Sequence, residues 1–148
     1  EHGGRPALLC GPRGTQKTTL AEAFVRRIAQ NEDTLSKRIR LVHNSSSICL
    51  QDDIESCLVR HSTDTYAPPP QKHLCVFVDD LHRPDPDAYD GRAPLELLRQ
   101  CLDRGGWYDR VDLSKHKKMC SEINSKQRKH RMVHIAYEQA PILQILAK

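Results

Sequence analysis

The chain has 148 residues, 38% of them hydrophobic, with 23 Lys and Arg against 19 Asp and Glu for a net charge of +4. That length allows one domain around one core, while a mean hydropathy of -0.64 and the lack of any apolar run near the ~20 residues of a spanning helix argue against a membrane protein. The first residues do not show the charged-then-apolar layout of a secretory leader, and six scattered cysteines (Cys10, Cys49, Cys57, Cys75, Cys101, Cys120) read as buried thiols rather than a disulfide framework, so the expected compartment is cytosolic.

In chain order, Ala7 to Cys10 reads as a buried strand, and Lys17 to Ala29 as a helix with Leu20, Ala21, Phe24, Val25 and Ile28 on one face. Between them lies Gly11-Pro12-Arg13-Gly14-Thr15-Gln16-Lys17-Thr18. Strand, Gly-rich loop and helix is the context a phosphate-binding loop requires. A triphosphate is densely anionic, so its binding loop points backbone N–H groups inward at a helix N-terminus. In that reading residues Gly11, Pro12, Arg13, Gly14, Thr15, Gln16, Lys17, Thr18 and Thr19 bind ATP or ADP. Lys17 reaches the outer phosphates, and the Thr18 hydroxyl helps to hold Mg2+. A Gly-Pro turn joining a strand to a helix also arises without any ligand.

Further along, Arg38 to His43 alternates like a strand, and Asn44-Ser45-Ser46-Ser47 is a turn or cap signal. Gln51 to Arg60 offers Ile54, Cys57 and Leu58 as the stripe of a second helix. Thr63 to Lys72, with three consecutive prolines from Pro68, reads as an exposed extended loop. Leu74 to Val78 is apolar throughout, as a central parallel strand covered on both faces should be. It ends at Asp79-Asp80, where Asp79 is a second magnesium ligand and Asp80 takes the position of the residue that polarises an attacking water. Leu81 to Arg92 reads as a loop, and Pro94 to Leu102 as a helix stopped by Gly105-Gly106. Alternating strands and helices imply a three-layer α/β sandwich with a parallel sheet, the P-loop NTPase architecture.

Two departures weaken hydrolysis. Gln16 stands where the loop pattern has Gly, and if that position needs positive φ a Cβ there costs roughly 1–2 kcal/mol. Asp80 is shorter by one methylene than a Glu and leaves its carboxylate back from the water. From Lys115 to Arg131 seven basic residues face the single acid Glu122. This run reads as a solvated face, with nucleic-acid contact as the alternative, disfavoured because no aromatic residues are interleaved for stacking. His116 with Cys120, and His130 with His134, have zinc-like spacings but no Cys-x-x-Cys anchor and basic neighbours, which argues against zinc. Met132 to Ala136 reads as a strand and Ile142 to Leu146 as a helical turn.

The run Val76-Phe77-Val78-Asp79-Asp80-Leu81-His82-Arg83-Pro84, then Tyr89 to Gln100, then Gly105-Gly106-Trp107-Tyr108-Asp109, resembles an AAA+ module of dynein heavy chains. With the loop at Gly11 and the serines at Ser45 to Ser47, the likeness covers about residues 5 to 110 and is nearest to the third module in the ring of the axonemal type. The resemblance implies a module that binds Mg-ATP or ADP and gates a microtubule motor with weak or absent hydrolysis. Lys17 and Thr18 match the phosphate-loop pair, Asp79 the metal-binding acid, and Asp80 a position often already Asp in axonemal third modules. It further implies, as partners, the other AAA+ modules of the same heavy chain, dynein intermediate and light chains, and microtubules through the intact motor. The implied location is the cytoskeleton of a cilium or flagellum axoneme, with no membrane and no nucleic-acid role. On this reading residues 1–113 form the AAA+ core and 114–148 a basic tail outside the family pattern. A further strand with a polar sensor, a Gly-Pro-Pro-Gly-Gly-Gly stretch and a helical lid are not read after Ser114, so the module is expected to be incomplete on its C-terminal side. The alternatives are a nucleic-acid-associated P-loop ATPase using segment 115–131, or a non-binding pseudo-module with a structural role.

Overall fold

In the computed structural model of the chain, residues 7–119 and the backbone of 132–138 are described. A parallel sheet runs in the order β1 (Ala7–Cys10), β8 (Met132–Glu138), β5 (His73–Asp79), β2 (Thr34–Arg40). β2 follows β5 in register from Thr34 beside His73 to Arg40 beside Asp79, and β5 pairs on its other side with β8. Because β5 has a neighbour on each edge and cover on each face, Leu74 to Val78 are all buried, the environment its unbroken apolar run requires.

Side chains alternate across the sheet. Phe77 lies on the face covered by α1 (Lys17–Ala29), where it packs with Ala21, Leu9 and Val25. Leu74, Val76, Val78 and Ile39 lie on the other, packing with Leu50 and Ile54 of α2 (Ser47–Glu55) and Leu98 and Cys101 of α3 (Ala93–Arg104). Helix, sheet and helices are therefore stacked as three layers, and full burial of a residue such as Phe77 contributes about 1.5–3 kcal/mol.

A smaller sheet flanks the second layer in the order β3 (Val59–Arg60), β4 (Thr65–Ala67), β7 (His116–Met119), β6 (Gly106–Tyr108). It is fastened by Glu55, whose Oε1 accepts from Trp107 Nε1 at 2.8 Å and from Gln51 Nε2 at 2.7 Å, while Lys117 Nζ lies 3.2 Å from Oε2. Lys117 also pairs with Asp109 at 3.1 Å. The backbone N–H groups of Asp112 and Val111, followed by Lys117, hold the Asp109 carboxyl at about 2, below its ordinary 3.8. Gly106 sits where a Cβ would lie 2.1 Å from the Lys117 carbonyl oxygen. Gly106→Ala is expected to pry β6 from β7 and cost about 3 kcal/mol in urea unfolding.

Several boundaries differ from the sequence reading. β2 begins at Thr34 and ends at Arg40 rather than spanning Arg38 to His43, because its register is set by β5. α2 starts at Ser47, directly after Ser46, whose Oγ accepts from the Cys49 N–H, and it stops at Glu55. Val59 and Arg60, expected in that helix, form β3 instead. The segment expected to be an exposed loop contains β4, with Ala67 and Pro68 buried. On α1, Leu20 and Phe24 are 65% and 47% exposed. At about 100° per residue they lie on one flank of the stripe, whereas Ala21, Val25 and Ile28 centre on the sheet. β1 is an edge strand, with Ala7 and Cys10 exposed rather than buried. The strand expected over Met132 to Ala136 is β8, inserted between β1 and β5. Ile142 to Leu146, Cys120, His130 and the basic residues 126–131 fall outside the described residues. Among the described residues no helix is long and apolar enough to cross a membrane.

Candidate functional site

The Gly-rich segment forms the turn between β1 and α1. Gly14 holds φ 81°, a left-handed conformation that glycine adopts without strain. Gln16 is the N-cap of α1 at φ 56°, ψ 26°, also left-handed, and no side-chain cap bond is made there. The penalty of a Cβ at Gln16 arises only at positive φ, and the backbone meets that condition. Its carbonyl accepts from Leu20 N–H at 2.9 Å, so the strained residue is fixed by the first turn of the helix.

Pro12, Arg13, Gly14, Thr15 and Gln16 are exposed along the loop, whereas Lys17 is buried. Its ammonium turns back into the loop, donating to the Pro12 carbonyl and, at 2.7 Å, to Thr15 Oγ1. Thr15 Oγ1 in turn donates to Pro12 O at 2.9 Å. The loop thus wraps a cation at a helix N-terminus, both of which favour an anion. Thr18 and Thr19 follow in the first turn of α1, Thr18 half-buried and Thr19 exposed.

Parallel pairing brings the end of β5 to the same place. The Thr18 hydroxyl donates to Asp79 Oδ1 at 3.4 Å, across 61 residues of sequence. Asp79 is buried, and the Asp80 N–H donates to the same oxygen at 3.0 Å. Magnesium binds oxygens at about 2.0–2.1 Å in an octahedron, so neighbouring ligand oxygens stand about 3 Å apart. A hydroxyl and a carboxylate oxygen at 3.4 Å fit two adjacent corners with little movement. The donor set is hard oxygen, which suits magnesium rather than a thiophilic metal. Among the described residues no group of three or more His, Cys, Asp or Glu is placed to hold a metal, and His116 instead packs edge-on against Tyr108.

Asp80 takes φ 59° and is turned toward two arginines, with Arg40 Nε 3.0 Å and Arg83 Nε 3.7 Å from its Oδ2. Asp79 is engaged by Arg38, whose Nη2 lies 3.4 Å from Oδ2 and whose Nη1 pairs with Glu22 of α1. Sequence reasoning missed all four partners. Arg38 and Arg40 share one face of β2 by the two-residue period of a strand, yet only the register with β5 reveals that this face meets Asp79 and Asp80. In the basic segment, Lys115 pairs with Asp112 at 2.9 Å and Lys117 with Asp109 and Glu55.

A parallel sheet whose edge strand runs through a glycine-bearing loop into α1, with an acid from β5 beside the first helical turn, is the arrangement of a P-loop fold. The profile of the family described as the P-loop containing dynein motor region matches residues 2–124, and the chain belongs to that family. It is 36% identical over 107 residues to Homo sapiens dynein axonemal heavy chain 1, an overlap covering 72% of this chain and 2% of that protein. It is 36% identical over 110 residues to Homo sapiens dynein axonemal heavy chain 3 (74% of this chain, 3% of that protein). Against Homo sapiens dynein axonemal heavy chain 9 the identity is 37% over 110 residues, 74% of this chain and 2% of that protein. The chain therefore spans only 2 to 3% of the length of these relatives.

One consequence of the loop geometry is directly measurable. Gln16→Gly removes the Cβ from a left-handed position, and is expected to stabilise the chain by about 1 kcal/mol and to tighten nucleotide binding. Urea unfolding and fluorescent-nucleotide titration of the two proteins read both effects.

Proposed function

We propose that this chain is a nucleotide-binding AAA+ module of an axonemal dynein heavy chain, of the third-module type, which holds Mg-ATP or ADP and hydrolyses it weakly or not at all. The observation that carries the reading is the meeting of Thr18 and Asp79 beside a loop wrapped around Lys17. Loop residues 11 and 13 to 16 and the first turn of α1 would offer N–H groups to phosphate oxygens, Lys17 would supply the positive charge, and Thr18 and Asp79 would hold magnesium. When bound, the metal neutralises charge on the outer phosphates.

Weak hydrolysis follows from this chain's own residues. Asp80, the residue in the water-polarising position, is short and is turned toward Arg40 and Arg83. Gln16 holds the loop strained. A module that keeps nucleotide and turns it over slowly suits a regulatory role, gating a motor whose main hydrolysis occurs in another module of the same heavy chain. Its partners are then those modules and, through the whole motor, intermediate and light chains and microtubules of a ciliary axoneme.

The test pairs fluorescent Mg-ATP binding with phosphate release. Saturable binding with release close to the no-protein background is expected. Rapid steady-state release contradicts the regulatory reading, and absence of binding at millimolar nucleotide contradicts the nucleotide reading.

A further inference from the structure

We propose that Arg38 acts as an internal cation that opposes magnesium at Asp79 and thereby sets the magnesium requirement for nucleotide binding. The inference rests on the nucleotide reading above and concerns a residue outside the phosphate loop. Asp79 has a side chain only 4% exposed, and a carboxylate so buried needs a charge partner. Its two oxygens are used differently. Oδ1 faces Thr18 and the Asp80 N–H, which is the side where magnesium fits, while Oδ2 faces Arg38 Nη2 at 3.4 Å.

Arg38 is held there from three directions. It is anchored on β2 by the register with β5, its Nη1 pairs with Glu22 one helical turn beyond Thr18, and its guanidinium lies 6.0 Å from the centre of the Phe77 ring. The guanidinium is permanently charged, so a positive charge stands beside Oδ2 when a second cation arrives. Magnesium then meets a carboxylate that is already partly neutralised, with a positive charge on its far side. Nucleotide held by the loop and Lys17 is less affected, because those contacts do not pass through Asp79.

The experiment is a magnesium titration of fluorescent-ADP binding by the full chain and by Arg38→Gln, with a parallel measurement in EDTA. Loss of the guanidinium is expected to lower the half-saturating magnesium concentration about three- to fivefold, the scale of a partly exposed ion pair, while affinity in EDTA stays unchanged. Arg38→Lys, which keeps the charge, is expected to stay near the parent. If Arg38→Gln disturbs the sheet, Arg38→Met keeps the aliphatic stem over Phe77 without the charge and reads the same quantity. An unchanged magnesium midpoint with nucleotide binding intact overturns the role of Arg38, as does an equal shift with and without magnesium. Absence of binding from parent and variants at saturating magnesium overturns the nucleotide reading, and this inference with it.

Discussion

Lys17→Ala is expected to reduce affinity for fluorescent Mg-ATP by about ten- to a hundredfold, the loss of one charge-assisted contact of about 1.5–3 kcal/mol. The lysine is 9% exposed and its ammonium already lies within the curve of the loop, against Pro12 O and Thr15 Oγ1. Phosphate oxygens offered to the same point exchange neutral acceptors for charged ones. The core should keep its packing, because Lys17 contributes to neither apolar cluster and its ammonium bonds lie within the loop. Far-UV circular dichroism and urea midpoint therefore separate the two effects. A tenfold or larger loss of affinity at unchanged stability fits the site described here, and unchanged affinity removes Lys17 from it.

Trp107→Ala has the largest expected effect on stability, about 3–5 kcal/mol. The indole is 1% exposed, is among the largest fully buried side chains, and joins the cluster of Val76, Val78, Leu98 and Cys101 from the side of the small sheet. Its Nε1 donates to Glu55 at 2.8 Å, so the substitution opens a cavity and removes one of the bonds that tie α2 to β6. Trp107→Phe fills most of that volume and loses the bond alone, for which about 1–2 kcal/mol is expected. Urea unfolding of the two variants separates packing from hydrogen bonding. Equal losses in both would assign the stability to the Glu55 bond.

The layered architecture and the positions of most candidate-site residues were legible because they are carried by short, local patterns. Helix α1 follows directly from its apolar spacing, β5 from an unbroken apolar run, and α3 from Pro94 and Gly105 at its ends. The strained Gln16 was legible as a departure at one fixed position of the loop. What was not legible depends on register and on distant partners. The strand alternation around Arg38 gives no indication of where β2 starts, so the meeting of Arg38 with Asp79 and of Arg40 with Asp80 was invisible. β3 and β4 are two and three residues long and are stabilised by pairing with each other and with β7, beyond the reach of local propensity. Leu20 and Phe24 show the converse limit, since an apolar stripe wider than the sheet's contact leaves its flank in solvent.

Whether residues 11 to 19 and Asp79 form a working Mg-nucleotide site despite Gln16 is decided by thermal unfolding of the unmodified chain and Lys17→Ala with and without Mg-ADP. A ligand that binds only the folded state stabilises it by about 1.4 kcal/mol at ten times its dissociation constant. The unfolding temperature is expected to rise with Mg-ADP concentration in the unmodified chain and to stay flat in the variant. A temperature that does not move in the unmodified chain up to millimolar Mg-ADP, or that rises equally in both proteins, would contradict it.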